Sequence, residues 1–114
     1  MITHETLQRI IQFRDDRDWS QFHTMKDLCL GLGIEVAELQ EIFLWKSEQE
    51  LADVIKKDKP KIADELADIF VFLAYISHDL GIDLNSAIQN KVKKNSQKYP
   101  IEKAKGNNKK YDKL

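Results

Sequence analysis

Two short acidic motifs stand out among the 114 residues: Glu35-x-x-Glu38 and Glu65-x-x-Asp68. Helical geometry makes their positions unusual. At roughly 100° per residue, Leu28 and Ile42 fall on either side of Glu35, with Leu39 and Leu32 close by. Glu35 is therefore centred on an apolar stripe, and Glu38 lies at its border. The second motif repeats this pattern, with Glu65 between Phe72 and Ile76, near Ile69 and Ile62, and Asp68 at the border. Two helices bearing such stripes would pack through them and bring four carboxylates together. An ionised carboxylate on a core face is costly unless paired, protonated or bound to a cation. Four of them cannot satisfy one another, because like charges raise each other's pKa. A hard divalent cation resolves the conflict, and an all-oxygen donor set fits Mg2+ or Mn2+ better than zinc. A di-iron bundle would want Glu-x-x-His, which neither motif supplies. The plainer alternative is that the acids pair with lysines or reach solvent at the helix edge.

The elements that must position these residues are helices. Four Gly and two Pro are the only strong breakers in the chain. Thr3 caps a first helix carrying Leu7, Ile10, Ile11 and Phe13, and the stretch Asp18–His23 interrupts it. Thr24 with Asp27 opens a second helix running to about Trp45, and Ser47-Glu48-Gln49-Glu50 is a capping box for a short third. Pro60 suits the first turn of a fourth helix that Gly81 closes. Asp83 or Asn85 starts a fifth, ending near Tyr99-Pro100. The spacing predicts an all-α fold, a four-to-five-helix bundle over residues 1–100, with an irregular basic tail over 101–114. Ile69–Ile76 is apolar all round and needs cover on more than one side, which predicts a homodimer or homotetramer, the alternative being a fully internal central helix in a monomer.

Composition narrows the function. Net charge is −1, with 18 basic and 19 acidic residues, which argues against nucleic acid or an acidic membrane as partner. Lone Cys29 excludes an intrachain disulfide and a cysteine zinc cluster. The opening residues do not read as a signal sequence and no apolar run spans a bilayer, so a cytoplasmic protein is expected. Around the acids, Trp45 follows Glu38 by two turns and could stack a base whose phosphates reach the metal. Trp19, Phe22 and His23 could wall a base pocket. Lys91, Asn95 and Tyr99 share one face of the fifth helix, where an ammonium, an amide and a phenol could grip phosphate and sugar.

These residues carry a resemblance. Glu35-x-x-Glu38 followed by Glu65-x-x-Asp68 is similar to the signature of the MazG-type, all-α NTP pyrophosphohydrolase superfamily. The stretches Arg17–His23, Gly33–Leu39, Phe43–Lys46, Asp64–Ile69 and Lys91-x-x-x-Asn95-x-x-Lys98-Tyr99-Pro100 resemble its dCTP pyrophosphatase branch. The resemblance implies that Glu35, Glu38, Glu65 and Asp68 bind Mg2+, which holds the triphosphate. It implies that Trp19 and Trp45 line the base pocket and that Lys91 and Asn95 face the ligand. Glu38, at the border of its stripe, is the candidate to orient or deprotonate the attacking water, with Glu35 beside it, and His23, Phe72 and Tyr99 complete the expected substrate contacts. The expected reaction converts a dNTP, such as dCTP or a modified dCTP, to the monophosphate and pyrophosphate. Ile10 and Phe72 depart from that branch, which has a histidine and a tyrosine there, so its cytosine preference does not carry over directly. The alternative is a Mg-nucleotide sensor or regulatory module that binds without hydrolysing.

Overall fold

The structure, a computed structural model, describes residues 2–114. Among these residues there are six helices and no strand. They run α1 (His4–Asp16), α2 (Met25–Phe43), α3 (Glu48–Lys57), α4 (Lys59–Asp79), α5 (Leu84–Lys98) and α6 (Ile101–Ala104). The all-α expectation holds.

The helix boundaries follow from capping chemistry. Thr3, Thr24 and Asp83 each accept a hydrogen bond from the backbone N–H three residues on, in Thr6, Asp27 and Ser86. The Ser47 box closes in both directions, its hydroxyl accepting from Glu50 N–H and the Glu50 carboxylate from Ser47 N–H. Each cap satisfies a donor that the first turn leaves without a partner. Pro60 sits in the first turn of α4, where its missing N–H costs nothing. Past the end of α4 the chain turns at Gly81, whose φ of +64° is free of Cβ strain.

The chain divides into two units, one ending at Leu80 and one covering Gly81–Leu114. In the first, α2 and α4 form the principal helix pair, with α1 and α3 against α4. Gly31 lies against Phe72 and Glu38 lies beside Glu65, so residues advance along α2 as they recede along α4. The two helices are antiparallel. A Cβ at Gly31 would stand 2.4 Å from Phe72 Cε1, so only glycine lets the ring lie directly on the α2 backbone. Leu28, Ile42, Ala74 and Tyr75 are the buried core. Leu28 and Ile42 flank Glu35, as the stripe requires.

An ion pair between a buried arginine and an exposed aspartate ties α1 to the end of α4. Arg14, only 4% exposed, donates two hydrogen bonds to the Asp79 carboxylate, at 2.9 and 2.8 Å. Its guanidinium carbon also lies 4.9 Å from the centre of the Tyr75 ring. The second unit holds α5, α6 and a final 3-10 turn, Tyr111–Lys113. The segment expected to be irregular, 101–114, thus contains an α-helical turn and a 3-10 turn. It folds back on α5, with Tyr111 edge-on to Tyr99 at 6.2 Å and Lys98 Nζ 4.8 Å from the Tyr111 ring. This unit is basic, with nine lysines against three acids.

Candidate active site

The pairing of α2 with α4 brings the acidic residues together. One carboxylate oxygen from each of Glu35, Glu38 and Glu65 lies within 4.8 Å of the other two. All three are half-buried. Asp68, a turn further along α4, is exposed and lies outside this tight group, though still close enough for its charge to act on Glu35 and Glu65.

The electrostatics follow from that crowding. Burial, then the neighbouring Glu38 carboxylate, pushes the Glu35 pKa up to about 7. The same two causes, in the same order, raise Glu65. Oε2 of Glu35 and Oε2 of Glu65 are both buried without a hydrogen-bond partner. Buried polar atoms are normally paired, so two orphan carboxylate oxygens facing a third acid are what a cation site requires. Lysine does not fill the role: among the described residues no salt bridge reaches these acids. The group is thus able to hold a divalent metal, and its all-oxygen chemistry suits a hard one.

Beside the acids lies a cavity of about 430 Å³ between α1 and α4. Helix α1 contributes Thr6, Arg9, Ile10 and Phe13, and α4 contributes Asp68, Val71 and Tyr75. Asp68 is therefore shared between the acidic motif and the cavity. Trp19 and His23 stand behind its walls. Trp19 packs edge-on against Phe13 with ring centres 5.6 Å apart, and His23 lies 5.1 Å from Tyr75. His23 Nδ1 is buried with no partner, and burial followed by Arg14's charge lowers the pKa of its imidazole.

The other expected site residues are placed differently. Phe72 lies across from Gly31 and edge-on to Tyr75, a helix-packing position. Trp45 is not on α2. The helix stops at Phe43, Leu44 is extended, and Trp45 adopts a left-handed φ of +64° with 91% of its surface exposed. The expected stacking over Glu38 along one helix face is thereby corrected, because the chain leaves helical geometry one residue before the indole. Lys91 and Asn95 lie on α5, with Tyr99 as its C-cap, and all three side chains are exposed in the second unit.

Sequence reasoning passed over Thr6, Arg9, Tyr75 and the Arg14–Asp79 pair. A signal existed for Arg14, seven residues after Leu7 and hence on the apolar stripe of α1. None existed for Asp79, whose partner is 65 residues away.

Comparison with known proteins agrees with this geometry. The MazG-like family profile matches residues 31–114, a span that includes both acidic motifs. The dCTP pyrophosphatase 1 of Mus musculus is 35% identical over 98% of this chain and 68% of its own length. The human protein of that name is 32% identical over the same shares. Among solved structures, a pyrophosphatase from Archaeoglobus fulgidus superposes with a TM-score of 0.80 at 38% identity, covering 84% of this chain and 90% of that one. With two acidic motifs converging from packed helices and relatives matched over nearly its whole length, the chain belongs to the MazG-like family and is a nucleoside triphosphate pyrophosphohydrolase.

Proposed function

We propose that the protein hydrolyses a deoxynucleoside triphosphate, dCTP or a modified dCTP foremost, to the monophosphate and pyrophosphate with Mg2+ held by Glu35, Glu38, Glu65 and Asp68. The observation that carries this reading is the pair of orphan buried oxygens on Glu35 and Glu65 within a three-carboxylate group. The relatives named dCTP pyrophosphatase 1 support the choice of nucleotide. When bound, the cation would neutralise phosphate charge and lend Lewis-acid polarisation to the phosphoryl oxygens.

The chain's own residues supply the rest. Glu38, at the border of the acidic group, accepts the proton of the attacking water and orients it toward phosphorus. Without a cation, burial and Glu38 push the Glu35 pKa up to about 7, so metal binding would have to displace its proton near neutrality. The apolar walls of the cavity, Ile10, Phe13 and Val71, exclude water around the nucleoside. Trp19 stiffens that wall through Phe13, and His23 through Tyr75. Trp45, held out from the chain, stacks on the base. In the second unit, Lys91, Asn95 and Tyr99 are the polar groups suited to phosphate and sugar.

The same reading includes self-association. Leu30 and Ile34, 60% and 59% exposed and one turn apart on α2, form an apolar strip that a second copy would cover. Pyrophosphate release from each dNTP and NTP, with Mg2+ and with EDTA, tests the proposal. Metal-dependent release that is lost in Glu38→Gln supports it. Release indifferent to EDTA, or none from any nucleotide, refutes it, and tight binding without release would favour the sensor alternative.

A further inference from the structure

We infer that Arg9 is a specificity-determining residue that reads the nucleotide base, selecting one with two adjacent hydrogen-bond acceptors. The inference rests on the nucleotide reading above and adds what a ring of carboxylates cannot provide, recognition of the base.

Asp68 lines the cavity between α1 and α4 and also ends the second acidic motif. A nucleotide with its phosphates at the acids has its base within reach of this cavity. The walls of Ile10, Phe13 and Val71 suit a flat ring and are hostile to phosphate, whose desolvation they would not repay. Apart from Asp68, the polar groups of the lining are Thr6, Arg9 and the Tyr75 hydroxyl.

Arg9 differs from the other two arginines of the chain. Arg14 is bound to Asp79, and Arg17 donates to the Phe13 carbonyl at 2.9 Å while lying 3.7 Å from the Phe13 ring. Among the described residues no hydrogen bond or ion pair involves the Arg9 side chain. Arg9 is exposed where this cavity meets a second one on α1, and its planar guanidinium offers a fork of donors that no other described side chain engages. Thr6, three residues earlier, adds to this. Its Oγ1 accepts from Thr3 Oγ1 at 2.9 Å, leaving its own proton to donate. Apart from Asp68, the cavity thus meets its ligand with donors.

A fork of donors wants two acceptors side by side. Cytosine offers O2 and N3, and guanine offers O6 and N7. Thymine and uracil place an N–H between their two oxygens, and adenine sets its amino donor beside N1 and N7. The cavity accordingly discriminates cytosine and guanine nucleotides from those of thymine, uracil and adenine. Ile10, one residue on, has no polar atom to contribute, so the reading falls to Arg9.

The test is calorimetric titration with non-hydrolysable α,β-imido analogues of the four dNTPs in Mg2+, for the unaltered protein, Arg9→Leu and Arg9→Lys. The unaltered protein binds the dCTP and dGTP analogues about tenfold or more tightly than the other two. Arg9→Leu removes that gap while leaving the dTTP analogue's affinity unchanged, and Arg9→Lys, with charge but no fork, also loses most of it. A ranking unchanged in Arg9→Leu overturns the inference. So does an equal loss across all four analogues, which would make Arg9 a phosphate contact. Selective binding without pyrophosphate release would sink the hydrolytic reading and leave this one standing; binding of no analogue would sink both.

Discussion

Gly31→Ala is the substitution whose consequences the structure fixes most closely. The new Cβ would stand 2.4 and 2.7 Å from Phe72 Cε1 and Cζ. Ordinary carbon contacts begin near about 3.4 Å, so α2 and α4 must part by about 1 Å or the ring must turn away. Turning is opposed by the Tyr75 ring packed edge-on against Phe72. Such overpacking costs about 2 kcal/mol, and alanine's better helix propensity returns about 1 kcal/mol. The net loss is about 1 kcal/mol, a fall in Tm of about 4 °C. The effect on metal binding is larger. Glu35 lies one turn beyond Gly31, about 6 Å along the axis. Cation–oxygen bonds tolerate errors of only about 0.2 Å, so a 1 Å separation of the helices should weaken Mg2+ binding at least about tenfold. Gly33→Ala is the internal control, because a Cβ there meets nothing within 4 Å. It should raise Tm by about 4 °C and leave the metal site unchanged. Thermal melting and Mg2+ titration calorimetry on both variants decide the matter. A Gly31→Ala protein that melts higher and binds Mg2+ undiminished would refute the proposed helix register.

Three further outcomes follow from the same geometry. Glu35 binds its proton more tightly folded, near pH 7, than at its ordinary 4.5, so the unfolded chain deprotonates first as pH rises. Glu35's contribution to stability therefore falls between about pH 4.5 and 7; metal-free Glu35→Gln should lack this decline, and Mg2+ should raise Tm more at pH 8 than at pH 5. An identical Mg2+ effect at both pH values would count against a carboxylate site. Trp45→Gly relieves a left-handed backbone at a residue 91% exposed, and should stabilise the fold by about 1 kcal/mol while weakening nucleotide binding about tenfold; a lower Tm with full nucleotide affinity would show that the indole packs rather than binds. Asp79→Ala leaves the Arg14 guanidinium buried and unpaired, and should cost about 3 kcal/mol by urea denaturation, a loss that Arg14→Met in the same chain should largely restore.

The helices and the acidic group were legible in the sequence because each rests on local rules. Thr3, Thr24, Ser47 and Asp83 announce helix starts by side-chain chemistry that acts over three residues. Glu35 and Glu65 announce the site because helical periodicity alone puts them on stripes that must meet. What the sequence left hidden depends on register and long-range pairing. The seat of Phe72 on Gly31 is set by where α2 crosses α4, which no local pattern states. The end of α2 before Trp45 carries neither Gly nor Pro to mark it, and the left-handed turn falls on the tryptophan itself. Arg14 finds Asp79 across most of the first unit, and Arg9 acquires significance only once α1 closes a cavity over Asp68.

Whether the acids of α2 and α4 form a cation site is decided by counting bound Mn2+ by electron paramagnetic resonance, in the unaltered protein and in Glu35→Gln, Glu65→Gln and Asp68→Asn. Mn2+ should bind the unaltered protein and be displaced by Mg2+, with binding lost in Glu35→Gln and Glu65→Gln and weakened in Asp68→Asn. Equal Mn2+ binding by all four folded proteins, or none by the unaltered one in the presence or absence of nucleotide, would contradict a cation site there.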